Sequence, residues 1–356
     1  MAPLLNASAP KRTNVVAVDL GQRTTKAVHL QRNGDTVELL DYALLDSPFF
    51  EKTPTPDLLA AHFKALGETI GLRGRRISIV LGVNDAVLRT AEMPAVPVHD
   101  MRLMLKYNSK NYLQQDMSEY VFDCFTLGMV QTAPPIAGES AVRGTAKARV
   151  LVGAAKQQTL DQLQAGAKAA GLNIEHIVPS MVCPGNAFEA AMPEHFANDV
   201  IALVDIGFKS STINILTKGE IALNRVVSLG GDKLTSGLAD AMGVSYAEAE
   251  GIKIGLPEEV QGAMQGLITP LGRELRASID FFEHQQDKSV AHVYVSGGSS
   301  RSQFVVESLQ SELMVQTKSW NPVAFMKTSL SPEKLAELEQ VASQLVVAVG
   351  GGLGAI

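Results

Sequence analysis

Two short turns in the sequence combine residue types that bind phosphate. The first follows a β-branched run and reads Asp-Leu-Gly-Gln-Arg-Thr-Thr-Lys. Glycine lets backbone N–H groups approach an anion closely, hydroxyls add donors, and a lysine side chain can reach a terminal phosphate. The candidate ligands in this turn are Asp19, Gly21, Gln22, Thr24, Thr25 and Lys26. Any β-hairpin can carry Asp-x-Gly, so a purely structural turn is the alternative for this segment alone.

The second turn repeats this design far along the chain. It reads Asp-Ile-Gly-Phe-Lys-Ser-Ser-Thr, and its candidate ligands are Asp205, Gly207, Ser210, Ser211 and Thr212. Two such loops that face each other can hold the β- and γ-phosphates of a nucleotide from both sides. Asp19 and Asp205, each at the end of a strand, can bind Mg²⁺ through its waters. The pair therefore predicts a magnesium-nucleotide site more specifically than either turn does.

Three further segments could complete such a site. A buried strand runs into a Gly-Gly-Ser-Ser turn before a helix, and such a turn suits close approach to a ribose, an adenine face or a phosphate. A Gly-Gly pair before Asp232 indicates either another close approach or a simple turn. Glu250 and Lys253 lie one helical turn apart, so they could bind ribose hydroxyls and adenine or form a solvated ion pair. The candidate residues are Gly230, Gly231, Glu250, Lys253, Gly297, Gly298 and Ser299.

The strand pattern around the two Asp-x-Gly turns is duplicated. Runs typical of strands at 14–20, 26–30 and 37–40 are matched by runs at 200–206, 212–216 and 221–227, and tight turns join each set. The duplication predicts two similar α/β lobes that face each other across a cleft. The predicted units are a tail at 1–13, a first lobe at 14–92 and 172–198, a small inserted α+β subdomain at 93–171, and a second lobe at 199–356 with a helical part at about 232–290.

Composition and charge argue against several classes of protein. The 356 residues carry a formal net charge of -6, which gives no general attraction to nucleic acid or anionic lipid. Cys124 and Cys183 lie far apart without metal-ligand residues beside them, so neither a zinc site nor a disulfide framework is expected. The chain starts without the apolar region of a secretion signal, and its longest apolar stretch, 345–356, is shorter than the roughly 20 residues of a membrane span. A soluble cytoplasmic protein is predicted.

The order of the motifs is that of a known superfamily. Asp-x-Gly twice, Gly-Gly-Asp, Glu-x-x-Lys and Ser-Gly-Gly resemble the phosphate and adenosine motifs of actins, heat-shock chaperones and sugar kinases. The segments 93–94, 120–123, 150–155, 169–172 and 227–235 are similar to those of the PilM family of type IV pilus assembly proteins, which is related to FtsA. The resemblance covers the chain from about Val15 to Gly354.

The resemblance has implications for fold, cofactors and partners. It implies an α/β, actin-like (ribonuclease H-like) duplicated two-lobe fold, with ATP and Mg²⁺ in the cleft. It also implies a cytoplasmic adaptor or scaffold of type IV pilus or type II secretion-like assembly. Its implied partners are the cytoplasmic N-terminal peptide of a PilN-like inner-membrane protein and other components of the pilus inner platform and motor. Through these partners it would lie beside the inner membrane.

Bulky residues in both phosphate turns depart from the superfamily pattern. Gln22-Arg23 and Phe208-Lys209 stand where small residues usually follow Asp-x-Gly, so they could narrow the pocket, while Arg23 and Lys209 could neutralise phosphate charge. Relatives that hydrolyse ATP often carry a Glu or Gln near the start of the helix before the second lobe, where it orients the attacking water. The corresponding stretch here, 179–183, has neither, and Glu175, Asn186 and Glu189 are the nearest alternatives. At most slow ATP hydrolysis is therefore expected.

Two alternative functions belong to the same superfamily. One is a small-molecule kinase, in which Asp205 would be the general base. The other is an FtsA-like polymerising scaffold that associates with itself. FtsA proteins normally end in an amphipathic membrane-targeting helix, which the glycine-rich end of this chain does not resemble.

Overall fold

The computed structural model describes residues 13–48, 53–72, 76–130, 146–255 and 257–356. In chain order its strands are β1 Asn14–Leu20, β2 Thr24–Asn33, β3 Thr36–Asp46, β4 Arg76–Leu81, β5 Ala86–Pro94, β6 Tyr120–Met129, β7 Lys147–Lys156, β8 Asn173–Pro179, β9 Val200–Ile206, β10 Ser211–Thr217, β11 Glu220–Val227, β12 His292–Ser296, β13 Thr317–Ser319 and β14 Lys327–Thr328. Its α-helices are α1 Pro56–Ile70, α2 Val98–Leu113, α3 Gln157–Ala169, α4 Cys183–Ala191, α5 Pro193–Asn198, α6 Gly231–Met242, α7 Tyr246–Gly255, α8 Glu258–Gln286, α9 Gln303–Leu313, α10 Pro332–Val341 and α11 Val346–Leu353.

The first sheet contains the first Asp-x-Gly turn. Its strand order is β14-β3-β2-β1-β4-β8. Strands β1, β2 and β3 are antiparallel, because tight turns reverse the chain, and Gly34 supplies the positive φ of 62° that the second of these turns needs. Strands β1, β4 and β8 run parallel to one another. Asp19 near the end of β1 lies opposite Lys26 of β2, so the turn projects from one end of the sheet.

The second sheet repeats this arrangement. Its order is β11-β10-β9-β12-β13, with β9, β10 and β11 antiparallel and β9, β12 and β13 parallel. Strand β9 therefore has the place that β1 has in the first sheet. Asp205 near the end of β9 lies opposite Thr212 on one side and Ser296 on the other. The repeated order confirms the predicted duplicated α/β fold.

A third sheet, in the order β5-β7-β6, forms a separate layer with α2 packed against it. This inserted subdomain begins with β5 at Ala86, ahead of the predicted boundary at 93. Helix α3 packs against α1, and a Cβ atom added at Gly166 would lie 2.6 Å from Cβ of Leu59. Residues 157–169 therefore lie with the first lobe, which differs from the prediction that the insertion extends to 171.

The end of the chain returns to the first lobe. Strand β14 pairs with β3, and the buried helix α11 packs against β1, β2 and α4. This arrangement differs from the prediction that all of 199–356 belongs to the second lobe. One hydrophobic core cluster contains residues of both sheets, among them Leu30 and Tyr294, so the lobes are joined by packed side chains as well as by the backbone. Within the described ranges, no helix is both long and apolar enough to span a bilayer.

Candidate functional site

The two Asp-x-Gly turns face each other across a cleft between the lobes. The cleft encloses about 200 Å³ of free space. Typical ligand pockets measure roughly 300–1,000 Å³, so the cleft is narrow in this conformation. The predicted site residues that line it are Asp19, Gly21, Gln22, Thr24, Lys26, Asp205, Gly207, Ser210, Thr212, Gly231, Glu250, Lys253, Gly297, Gly298 and Ser299.

Three predicted site residues do not line the cleft. The hydroxyl of Thr25 lies 2.8 Å from Nε2 of His62, inside the core of the first lobe. The hydroxyl of Ser211 donates to a backbone carbonyl at 2.6 Å. A Cβ atom at Gly230 would lie 2.6 Å from the carbonyl oxygen of Gly207, so glycine is needed there for close packing of two backbones. These three residues shape the turns and do not face the space that a ligand would occupy.

Two aspartates at the ends of the central strands β1 and β9 line the cleft. Asp19 accepts a 3.0 Å salt bridge from Lys26, whereas Asp205 accepts a 2.8 Å hydrogen bond from Ser296. Burial raises the pKa of Asp205, and the charge of Asp19 adds to this effect, while Ser296 and Lys26 oppose it. A bound cation would relieve the cost of ionising the half-buried Asp205 beside a second carboxylate. These oxygen donors therefore fit Mg²⁺.

The glycines of the three turns have no room for a side chain. A Cβ atom at Gly207 would lie 2.7 Å from the carbonyl oxygen of Ser210 in the same turn, and one at Gly21 would overlap the backbone carbonyl of Thr24. Gly297 has a φ of +90°, and a Cβ atom there would overlap the backbone of Ile206. Each turn therefore requires glycine at this position.

Glu250 and Lys253 form a 2.9 Å ion pair within α7. Lys253 is only 3% exposed and donates to the hydroxyl of Thr235, which donates to Glu250 at 2.6 Å. Burial lowers the pKa of Lys253, although Glu250 opposes this. Burial alone would raise the pKa of Glu250, but hydrogen bonds from Thr235 and Lys253 bring it below its usual value. The alternative of a solvated ion pair is therefore wrong, and the pair forms part of the cleft wall.

Comparison with known protein families assigns the chain to one of them. The family described as type IV pilus assembly protein PilM matches residues 17–355. This range holds both sheets, the inserted subdomain and every residue that lines the cleft. The chain belongs to the PilM family. The resemblance drawn from the sequence motifs is thereby confirmed.

Several solved structures are similar to this chain in fold. The PilM–PilN type IV pilus biogenesis complex matches with a TM-score of 0.81 and 22% identity, over 98% of this chain and 100% of that one. The ethanolamine utilization protein EutJ of Carboxydothermus hydrogenoformans matches with a TM-score of 0.57 and 15% identity, over 99% and 92%. MreB5 of Spiroplasma citri, solved with ADP bound, matches with a TM-score of 0.52 and 10% identity, over 97% and 96%. These matches confirm the actin-like fold.

A local match connects this chain to cell-division proteins. It is 33% identical to FtsA of Bacillus subtilis (strain 168) over 84 residues, which are 24% of this chain. The match spans only 18% of the length of that curated relative. It therefore agrees with the predicted relationship between FtsA and the PilM family, without extending to the whole of FtsA.

In this member of the PilM family, Arg23 joins the two lobes at the cleft. Its guanidinium carbon lies 5.1 Å from the ring centre of Tyr246 and 5.5 Å from that of Phe208. Arg23 belongs to the first lobe and both rings belong to the second, so these are cation–π contacts between lobes. Lys209 lies 5.1 Å from the same Phe208 ring but pairs with Asp232 of its own lobe. Arg23 and Phe208, one bulky residue from each Asp-x-Gly turn, thus contact each other across the cleft.

Arg23→Ala is expected to loosen the cleft. Each cation–π contact is worth about 0.5–1 kcal/mol at an exposed site. Removing both contacts lowers the free energy that holds the lobes together by about 1.4 kcal/mol. The backbone amides at 207–210 should therefore exchange with deuterium about tenfold faster. Lys209→Ala is the matched control, because it removes a cation from the same ring without crossing the cleft, and it should leave exchange in the first-lobe turn at 21–26 unchanged. Equal exchange in Arg23→Ala and the wild type would show that Arg23 does not hold the lobes together.

The structure adds cleft residues that the sequence did not single out. The turn between β4 and β5 brings Asn84 and Asp85 to the cleft, and Ser180, Gln344 and Val347 line it from other segments. Burial raises the pKa of Asp85, although a nearby lysine and a hydroxyl oppose this effect. A polar pair in the short turn after a buried strand was the signal available for Asn84 and Asp85. The other three residues are scattered along the chain, and no motif marks them.

Proposed function

We propose that this protein binds ATP and Mg²⁺ in the cleft and acts as a cytoplasmic adaptor or scaffold in type IV pilus or type II secretion-like assembly. In this role it binds the cytoplasmic N-terminal peptide of a PilN-like inner-membrane protein. The likeness to the PilM–PilN complex over 98% of this chain carries the proposal, because it lies within a family match at 17–355. The protein would lie beside the inner membrane through this partner and would contact other inner-platform and motor components.

The phosphate end of the cleft supports nucleotide binding. Lys26 can neutralise phosphate charge, and the hydroxyls of Thr24 and Ser210 line the cleft from opposite lobes and can donate hydrogen bonds. Asp19 and Asp205 would hold Mg²⁺ through its waters. The metal, when bound, offsets the charge of the phosphates. The ADP in the MreB5 structure is further support that this fold accepts a nucleotide.

A second group of cleft residues, Glu250, Lys253 and the turn at 297–299, supports binding of the nucleoside. Glu250 keeps a low pKa and accepts hydrogen bonds, so it can accept from ribose hydroxyls. Lys253 holds Glu250 in place through the 2.9 Å ion pair. The turn at 297–299, with its positive φ at Gly297, lets the backbone approach the sugar and base closely.

The residues of the cleft fit a scaffold role better than rapid ATP hydrolysis. Ser180, in the stretch 179–183, lines the cleft, and its hydroxyl is a poor base for activating an attacking water. We therefore expect slow ATP hydrolysis at most. The family match favours an adaptor over a small-molecule kinase. Association of the chain with itself, as in an FtsA-like scaffold, stays a secondary expectation.

Isothermal titration tests the partner directly. A synthetic peptide that carries the cytoplasmic N-terminus of the PilN-like protein encoded beside this one is expected to bind saturably, and a scrambled peptide is not. A second titration with ATP, with and without Mg²⁺, tests the cleft independently. If the PilN-like peptide releases no heat of binding at any concentration, the adaptor role is wrong. If the peptide binds and ATP does not, only the nucleotide half of the proposal fails.

A further inference from the structure

Three potential metal ligands lie together on the second sheet, away from the nucleotide cleft. His195 lies in α5, Asp199 directly follows this helix, and His292 begins β12. Strands β9 and β12 are parallel neighbours, and Asp205 and Ser296 stand at their other ends, beside the cleft. The cluster and the candidate nucleotide site therefore lie at opposite ends of the neighbouring strands β9 and β12.

The geometry of the cluster is close to that of a three-ligand metal site. One ligand atom of each side chain lies within 4.8 Å of the other two, and Nδ1 of His195 lies 2.6 Å from Oδ2 of Asp199. Bonds of about 2.0–2.2 Å from zinc to nitrogen or oxygen place tetrahedral ligand atoms roughly 3.4 Å apart. The side chains of His195 and Asp199 are 45% and 33% exposed, so they have room to rotate about their side-chain bonds and take up the difference.

Two buried polar atoms beside the cluster have no hydrogen-bond partner among the described residues. They are Nδ1 of His292 and the hydroxyl of Tyr294. Tyr294 lies two residues after His292 on the same face of β12, with its ring centre 6.2 Å from that of His292 and 6.4 Å from that of His195. Buried polar atoms are nearly always paired, so Nδ1 of His292 is open to a further ligand.

We propose that His195, Asp199 and His292 form a binding site for a divalent transition-metal ion, with Zn²⁺ as the best match. Two imidazole nitrogens and one carboxylate oxygen, with a fourth position for water, are ligands typical of zinc. The site contains no cysteine, the residue type on which the sequence argument against a zinc site depended. The bound ion joins α5 to β12 and stabilises the second sheet, independently of nucleotide.

Thermal unfolding of the untagged, EDTA-treated full chain tests this site. Because a ligand that binds only the folded state raises its stability, Zn²⁺ is expected to raise the unfolding temperature, and Mg²⁺ at equal concentration is not. Zn²⁺ affinity measured by titration should fall at least about 10- to 100-fold in His292→Gln and in Asp199→Asn. His284→Gln is the matched control, since His284 is an exposed histidine in the last turn of α8, and it should respond as the wild type does.

Cobalt provides a readout that does not depend on the variants. Co²⁺ bound to two imidazoles and a carboxylate in four-coordinate geometry should give the wild-type protein a visible absorption band, which Zn²⁺ then removes. This spectrum decides the question if either variant fails to fold. The proposal is overturned if the wild type shows no response to Zn²⁺ and no cobalt band, or if His292→Gln responds to Zn²⁺ as strongly as the wild type does.

Discussion

Asp205→Asn is expected to stabilise the ligand-free protein while removing most of its Mg²⁺-dependent ATP binding. Asp205 is half-buried at the end of β9, where it lines the cleft, and loss of hydration raises its pKa despite the hydrogen bond from Ser296. Asparagine keeps an oxygen that can accept this hydrogen bond and removes a charge that is costly to bury. We expect the free energy of unfolding at pH 7 to rise by about 1 kcal/mol. The affinity for ATP in the presence of Mg²⁺ should fall about 100-fold.

The pH dependence of this stability difference has a definite sign. Because the pKa of Asp205 is higher in the folded than in the unfolded protein, the folded state holds the proton more tightly. The resulting stabilisation is complete at low pH and is lost as pH rises from about 3.9, the unfolded value, through the raised folded value. Asparagine has no proton to lose in this range. The advantage of the variant should therefore grow with pH across that window and then stay constant, which urea unfolding at a series of pH values measures.

A second aspartate provides a control, because its substitution is expected to change the stability in the opposite direction. Asp232 pairs with Lys209 at 2.7 Å and accepts a 3.1 Å hydrogen bond from Tyr246. Burial alone would raise the pKa of Asp232, but these partners bring it below its usual value. Asp232→Asn should therefore lose stability at pH 7, by only about 0.5 kcal/mol because the pair is partly exposed. If both substitutions stabilise the protein, the increase in Asp205→Asn does not report relief of a buried charge.

Much of the cleft could be predicted from sequence because its residues follow buried strands. Asp19 and Asp205 close two β-branched runs, and the turn at Gly297 follows a third. Buried β-branched runs of this kind form strands. Where such strands end at the same edge of a sheet, the residues that follow them lie close together. The repeated order of strands then brings the two turns to the same cleft, which the duplication in the sequence already indicated.

Contacts between distant segments could not be predicted in this way. The spacing of Glu250 and Lys253 is the same for a solvated pair as for a buried one, and only the packing of α6 against α7 distinguishes the two. The stacking of Arg23 on Phe208 and Tyr246 depends on how closely the lobes approach. The three potential metal ligands come from two segments that adjoin only because β9 and β12 are neighbours.

Gly350→Ala is expected to lower the free energy of unfolding by at least about 3 kcal/mol. Helix α11 is buried along its whole length and packs against α4, and a Cβ atom at Gly350 would overlap the backbone of Cys183. Backbone cannot rotate aside as a side chain can, so the two helices must separate. A Cβ atom at Gly352 would also lie only 2.8 Å from Leu30, which leaves α11 little room to shift. Urea unfolding and the yield of soluble protein measure the loss.

Gly262→Ala is the matched control for this substitution. Gly262 lies inside α8, and a Cβ atom there would meet no atom within 4 Å. Alanine favours a helix over glycine by about 1 kcal/mol, so this variant should be more stable than the wild type. The same chemical change thus has opposite effects at the two positions, because one helix face is in open space and the other touches a backbone. If Gly350→Ala is as stable as Gly262→Ala, then α11 does not pack against α4 in the protein. The glycine-rich end of the chain would then need another explanation than close packing in the first lobe.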